Sequence, residues 1–354
     1  MFKPHCCPNR SCPQHLKPAP HFFIRFGSYR AKCRSQAIPR FRCRTCRRTF
    51  SRQTFRADYR DHKPHLNAPL FTSIHSGVGI RQSARNLGLS QRCCELKLRK
   101  IGRHLRRLNL NLQASLGPEA QLHFDELETY EGQRNTRPLT VPVLIESETR
   151  FIIWAESAPI RPSGKMSKQR LLAIEKSEKR HGRRKNLSRQ SVARTLRRGA
   201  RLTRDARRVI LKTDEKSLYP GLAQTVFGRP ALVHQTTSSK RARTTSNPLF
   251  VINHEEAIMR DLMGRLRRES WLVSKKRRYL DLALQLHMAY RNLVRRRFNR
   301  DKESPAQLLG FLPRRLKPAE VLSWRQDWKE RSPHPLSSRG TSIQQWQERA
   351  LASA

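Results

Sequence analysis

Acidic side chains are scarce in this chain: 27 Asp and Glu stand against 74 Lys and Arg, a formal charge of 74 − 27 = +47 over 354 residues. So large a one-signed charge repels itself unless a polyanion neutralises it. Nucleic acid is the obvious partner, because each phosphate that a Lys or Arg neutralises releases condensed counterions. Long apolar runs are missing as well. No stretch reaches the roughly 18 residues that suggest a membrane span. The N-terminal MFKPHCCPNRSC carries charge without the apolar core of a secretory leader. Both absences argue for a cytosolic protein with no membrane partner. Cysteine is absent after position 94, since six of the eight fall in the first 46 residues and the last two are Cys93 and Cys94. In a reducing compartment such clustering reads as metal binding rather than disulfides.

What is present divides the chain into four parts. Residues 1–62 are rich in Cys, Pro and Arg with short aromatic runs, too polar for an ordinary core but suited to one nucleated by a metal. Over 68–113 the apolar spacing is helical, and ASLGP at 114–118 breaks it. From 119 to 300 come short apolar runs that read as strands: QLHFD, TVPVLIE, RFIIWAE, VILKTD and ALVHQ. A basic stretch at 165–208 suggests one or two helices, and 250–297 reads as helix with a core-packing stripe that includes Leu280, Leu284 and Met288. Three strands, helix, strand, helix, strand, helix is the order of an RNase H-like α/β domain. Residues 301–354 read as a basic, partly flexible tail, with SPHPLSSRG as a linker to a short last helix or to disorder.

Cys7 and Cys12 form one close pair and Cys43 and Cys46 another, about 30 residues apart, and four thiolates complete a closed tetrahedral zinc site of structural type. Cys6 is an alternative to Cys7. His5, His15 and His21 are expected to be bystanders, and Cys33 a loop or core residue. Phe41, Phe50 and Phe55 interleave the basic residues around the second pair and are expected to fill the small core beneath a phosphate-facing surface.

The segment IRQSARNLGLSQRCCELKLRKIGRHL places Ala84 where two helices approach, Gly88 at the turn and Ser90 as N-cap of a helix starting near Gln91. That is a helix-turn-helix. Cys94, Leu98, Ile101, Leu105 and Leu108 make one apolar face. The expected DNA-binding residues are Gln91, Arg92, Lys97, Arg99 and Arg103, with Arg106 on the same basic face.

In so basic a chain, carboxylates at the ends of apolar strands are conspicuous, and Asp125 and Asp214 qualify. Brought side by side they repel unless divalent cations bridge them, and two Mg²⁺ or Mn²⁺ ions so held can drive an in-line displacement at phosphorus.

The order CPNRSC, FRCRTCRRTFS, helix-turn-helix, FDELETYE, LKTDEKSLYP and INHEEAIMRDLMGRLRRESWLVSKK resembles the bacterial DDE transposases of the insertion-sequence-one family over about residues 5–295. The resemblance implies an RNase H-like catalytic domain behind a zinc ribbon and a helix-turn-helix. It also implies cleavage and joining of DNA at terminal inverted repeats, action on target DNA, and a homo-oligomer in the synaptic complex near the nucleoid. Asp125 and Asp214 match its first two catalytic aspartates. Tyr219 falls in the motif after the second, and Arg260, Arg265, Leu266, Ser274 and Lys275 match the basic helix bearing the third acid. At the third position this chain has Asn253 where the family has glutamate. Glu256 lies about one helical turn away on nearly the same face; Glu256 is favoured as the third ligand, with Asn253 beside it as the alternative, and Glu255 points away. The same departure leaves an inactive, transposase-derived DNA-binding regulator as the alternative reading. A nuclease of this fold without strand transfer is a further one.

Overall fold

The computed structural model describes residues 2–112, 115–228 and 232–328. The N-terminal part carries a short helix α1 (Pro13–Leu16) and an antiparallel sheet of β1 (Phe23–Tyr29), β2 (Ile38–Cys43) and β3 (Thr49–Ser51) in that order. Its core is small, and Phe22, Phe41, Phe50 and Phe55 pack there with Cys6, Cys7, Cys12 and Cys43.

Three helices follow: α2 (Asn67–Ile74), α3 (Ile80–Asn86) and α4 (Gln91–Asn111). Gly88 adopts φ +58° in the turn before α4, a conformation that glycine enters without Cβ strain. The Ser90 hydroxyl then accepts the Cys93 amide and caps the helix. Cys94, Leu98, Ile101, Leu105 and Leu108 are all buried along one side of α4, as the sequence periodicity indicates.

The larger unit is built on β4 (Glu119–Tyr130), β5 (Pro138–Glu146), β6 (Ile152–Ala155), β7 (Ala158–Pro159), α5 (Lys168–His181), α6 (Ser188–Leu202), β8 (Arg208–Asp214), α7 (Leu218–Phe227), β9 (Leu232–Thr237), α8 (Phe250–Leu262) and α9 (Arg277–Leu293). Its mixed sheet runs β6-β5-β4-β8-β9, with β7 beside β5. The β4–β8 and β8–β9 pairs are parallel, and β5 is antiparallel to β4. Side chains alternate across the sheet. Leu122, Phe124, Leu144, Val209 and Leu211 face α6 and α7, whereas Leu127, Val141, Val143 and Ile145 face α8 and α9.

Three expectations need correction. The helix expected over 250–297 is two helices, because Gly264 sits where a Cβ would come within 2.5 Å of Leu272 and 2.9 Å of the Gly77 carbonyl, and the chain turns there to dock on α2 and α3. The tail expected from 301 packs, as far as 327, against the core. It carries α10 (Pro305–Leu308) and α11 (Pro318–Ser323), and Leu312, Leu316, Val321 and Trp324 are buried with α2, α4 and α9. The Trp324 carbonyl lies 2.9 Å from His104 Nε2 on α4. Finally, the basic helix α5 buries no residue at all, so it does not cover the sheet as α6 does. The expected linker at 332–340 and the last helix lie outside the described residues.

Four histidines are buried, His75, His104, His123 and His287. Burial pushes His75 down to about 4 and both His104 and His123 to about 3, and holds His287 well below its ordinary value. Neither ring nitrogen of His287 has a hydrogen-bond partner among the described residues. Such a residue stays neutral when folded and takes a proton when unfolded, so its penalty grows as pH falls below about 6.5. His287→Leu is therefore expected to gain roughly 1 kcal/mol of stability over the wild type at pH 5.5 beyond any difference at pH 8. Urea unfolding at both pH values measures this, and an equal difference at the two would contradict it.

Candidate active site and metal centre

Cys7, Cys12, Cys43 and Cys46 come together at the end of the small sheet, with all four sulfurs within 4.8 Å of one another. Cys7 Sγ lies 3.5 Å from Cys46 Sγ, and Cys12 Sγ lies 3.9 Å from Cys43 Sγ. Four thiolates at about 2.3 Å from a tetrahedral ion stand about 3.8 Å apart, so the cluster can hold a metal such as zinc. Two turns build it. Cys12 donates its amide to the Asn9 carbonyl in the first, and in the second Arg47, at φ +59°, donates to the Cys43 carbonyl. Burial and the neighbouring thiols push Cys7 and Cys12 up. At Cys46 burial acts the same way, but hydrogen bonds from the Arg48 backbone, Cys7, Asn9 and Cys12 outweigh it and hold the thiol down at about 7. A dication bound among the thiols would offset the burial that disfavours their ionised form. Cys6 is buried beside the cluster without belonging to it, and Cys33 is exposed. His15 hydrogen-bonds the Cys7 carbonyl through Nδ1.

On the larger sheet, β4 and β8 pair in parallel from Glu119 opposite Arg208 to His123 opposite Lys212, an offset of 212 − 123 = 89 residues. Carried two residues further, that offset sets Asp125 against Asp214 (125 + 89 = 214), on the face of the sheet toward α8. Glu256 on α8 completes the group. Asp125, Asp214, Asn253 and Glu256 line one cavity of about 270 Å³, rimmed by Arg241, Arg243, Arg260 and Arg268. Among the described residues none of the three carboxylates has an ion pair, although four arginines rim the same cavity. Burial, reinforced by the charge of Asp125, pushes Glu256 up to about 8. Burial and then the charge of Asp214 lift Asp125 to about 6, against the Glu126 amide that hydrogen-bonds it at 2.7 Å. Glu256 Oε1 is buried with no hydrogen-bond partner among the described residues. A buried, partnerless carboxylate oxygen among repelling neighbours suits a divalent cation, which would satisfy the oxygen and cancel the repulsion together. Glu255, one residue before, points the other way into a fully buried ion pair with Arg291 at 2.7 and 2.8 Å.

Sequence reasoning missed Glu126. On the opposite face from Asp125, its carboxylate takes Thr140 Oγ1 and Ser188 Oγ at 2.8 Å each, the Tyr219 hydroxyl at 2.8 Å, and the Lys216 ammonium. Burial alone would raise its pKa, but Lys216, Thr140 and Ser188 together hold it below the usual carboxylate range. One side chain thereby ties β4, β5, α6 and the turn after Asp214 together, and explains why Tyr219 follows the second aspartate. The arginines of 241–243 were missed too. Asn247 holds that loop, donating to the Ala242 carbonyl and accepting the Leu249 amide, both at 2.8 Å.

The basic face of α4 needs one correction. Gln91, Arg92 and Arg103 are exposed and Arg99 is half-buried, but Lys97 is buried. Its ammonium donates to both Asp61 oxygens at 2.8 and 2.7 Å, to the Lys63 carbonyl and to Asn67 Oδ1. Lys100 reaches the Tyr59 and Arg60 carbonyls beside it. These lysines face inward because the end of the cysteine-bearing unit packs on that side of α4. Arg106 likewise turns to Glu156, at 3.3 Å.

No protein-family model matches the chain, and comparison with curated proteins finds no match either. No helix among the described residues is long and apolar enough to cross a membrane.

The position of Lys97 makes its removal a folding defect. Lys97→Ala leaves Asp61 charged and half-enclosed without its cation, and is expected to lower stability by about 3–5 kcal/mol, whereas Arg103→Ala should stay within about 0.5 kcal/mol of wild type. Chemical denaturation compares the two. A Lys97→Ala protein as stable as Arg103→Ala would return Lys97 to the solvent-facing side of the helix.

Proposed function

We propose that this chain is a DNA transposase that binds transposon ends and catalyses metal-dependent strand cleavage and strand transfer. The observation that carries the reading is the gathering of Asp125, Asp214 and Glu256, without ion pairs, at one arginine-rimmed cavity. The sheet supports it as well. Numbering the strands from β4 and leaving β7 aside, the order is 3-2-1-4-5 with the second antiparallel, the arrangement of an RNase H-like domain.

In this reading Asp125, Asp214 and Glu256 hold the catalytic divalent cations, with Asn253 as a neutral neighbour. Mg²⁺ or Mn²⁺, when bound, supplies an activated water or 3′-hydroxyl and stabilises the leaving oxygen. Arg243, Arg260 and Arg268 bind and orient the phosphate, whose negative charge complements theirs. Glu126 positions rather than reacts, since its oxygens are already committed. Zinc at the four cysteines serves folding, with no coordination position left open for water. Gln91, Arg92, Arg99 and Arg103 contact the transposon ends from α4, and the basic α5 adds sequence-independent affinity for phosphates. A regulatory, inactive reading rests on Asn253 alone, and Glu256 beside it supplies the charge that Asn253 lacks.

The test is cleavage and joining on duplexes carrying the DNA that flanks the reading frame. Asp125→Asn, Asp214→Asn and Glu256→Gln are each expected to lower both reactions about 1000-fold or more while end binding persists. Asn253→Ala should only slow turnover. Full activity in Asp214→Asn would refute the mechanism, and a wild-type protein that binds ends but never cuts them in Mg²⁺ or Mn²⁺ would favour the regulator.

A further inference from the structure

A second, larger cavity of about 680 Å³ opens between α3, the start of α4 and the 263–279 segment. Its basic lining residues are Arg81, Arg85, Arg265 and Lys275, and Glu95 is the one acid among its lining. Backbone meets backbone at its floor, where the Gly77 amide donates to the Leu262 carbonyl and Gly264 leaves no space for a Cβ, so the walls are fixed relative to each other. Arg265 is enclosed by protein yet keeps part of its surface open to the cavity. Among the described residues its guanidinium makes one hydrogen bond, to Ser274 Oγ at 2.7 Å, and no carboxylate pairs with it. At the same cavity stands Trp271, 93% exposed, while Trp154 and Trp324 are buried.

We propose that this cavity takes an unpaired nucleotide of the DNA being processed, with its base stacked on Trp271 and its phosphate held by Arg265. The inference rests on the transposase reading and names what the strand does beside the cut. Asp125 and Asp214 are half-buried and Glu256 is buried, so the backbone phosphate meets them at the cavity mouth, and a strand end freed by the cut can leave its partner there. A displaced base loses its stacking, and an exposed indole restores it regardless of sequence. The two cavities are joined by a short stretch of chain. Arg268 lines the carboxylate cavity, and Trp271, three residues on, lines this one. Four basic residues against one acid suit a phosphate rather than an apolar peptide.

Binding of the full-length chain to a short oligothymidylate and to a blunt duplex of equal length, without added divalent metal, tests this. Trp271→Ala should weaken the single strand about 5- to 150-fold and leave the duplex within about twofold, with Trp271→Phe close to wild type. Arg265→Gln should weaken the single strand as well. Should that variant misfold, the exposed Trp271 still decides the matter, because oligothymidylate should quench tryptophan fluorescence in the wild type and not in Trp271→Phe. Unchanged single-strand binding by Trp271→Ala, or equal loss on both DNAs, would overturn the proposal. Because binding is read without cleavage, a chain that cuts no DNA yet shows the preference refutes the transposase reading alone. A chain that cuts and joins DNA while Trp271→Ala is neutral refutes this inference alone.

Discussion

The parallel pairing of β4 with β8 is the constraint on which the rest of the site depends. It sets two aspartates at the same register and on the same face, where they repel in a partly dry setting. The fold holds this arrangement from behind. Glu126, on the other face of β4, gathers ligands from β5, α6 and the turn after β8, so that strand ends which would otherwise splay apart are tied at one carboxylate. On the near side, α8 is anchored by the buried Glu255–Arg291 pair, and breaking such a pair costs about 3–5 kcal/mol. That anchor fixes the rotation of α8 and with it the inward direction of Glu256.

The scarcity of acid gives these pairs their meaning. Some of the carboxylates meet a cation in an ion pair and others do not. Asp61, Glu126, Glu131, Glu255 and Asp327 do, and each of those pairs joins segments or fixes a loop. Asp125, Asp214 and Glu256 do not, although arginines line the same cavity. A site that leaves its carboxylates unpaired amid abundant arginine keeps their lone pairs free for another cation, and keeps the arginines free for an anion.

Much of this was legible in the sequence, because local patterns carried it. The five apolar runs are strands, Gly88 and Ser90 mark the turn and cap, and the two cysteine pairs meet. Asp125 and Asp214 stand out because a carboxylate after an apolar run is conspicuous in a basic chain, whereas Glu256 comes only from the family resemblance; the structure brings the three to one cavity. What failed depended on distant partners. Lys97 reads as one more charge on a solvated face until Asp61, 36 residues upstream, is seen to bind it. Leu312, Leu316, Val321 and Trp324 follow no helical or strand period and are scattered among Pro, Arg and Lys, so their burial comes from the surfaces they dock on. The break after α8 was hidden because Met263, Leu266 and Val273 continue the apolar spacing through it. Glu126 was passed over because its neighbour Asp125 occupied the same motif.

Asp125, Asp214 and Glu256 are proposed to hold metal. Anomalous diffraction from crystals of the chain bound to DNA and soaked in Mn²⁺ tests this most directly, with zinc at the four thiolates as an internal reference. Manganese is expected between Asp125 and Asp214, within coordination distance of Glu256, at about 2.0–2.5 Å from oxygen. A map with the zinc peak present and no manganese among these three residues would contradict it.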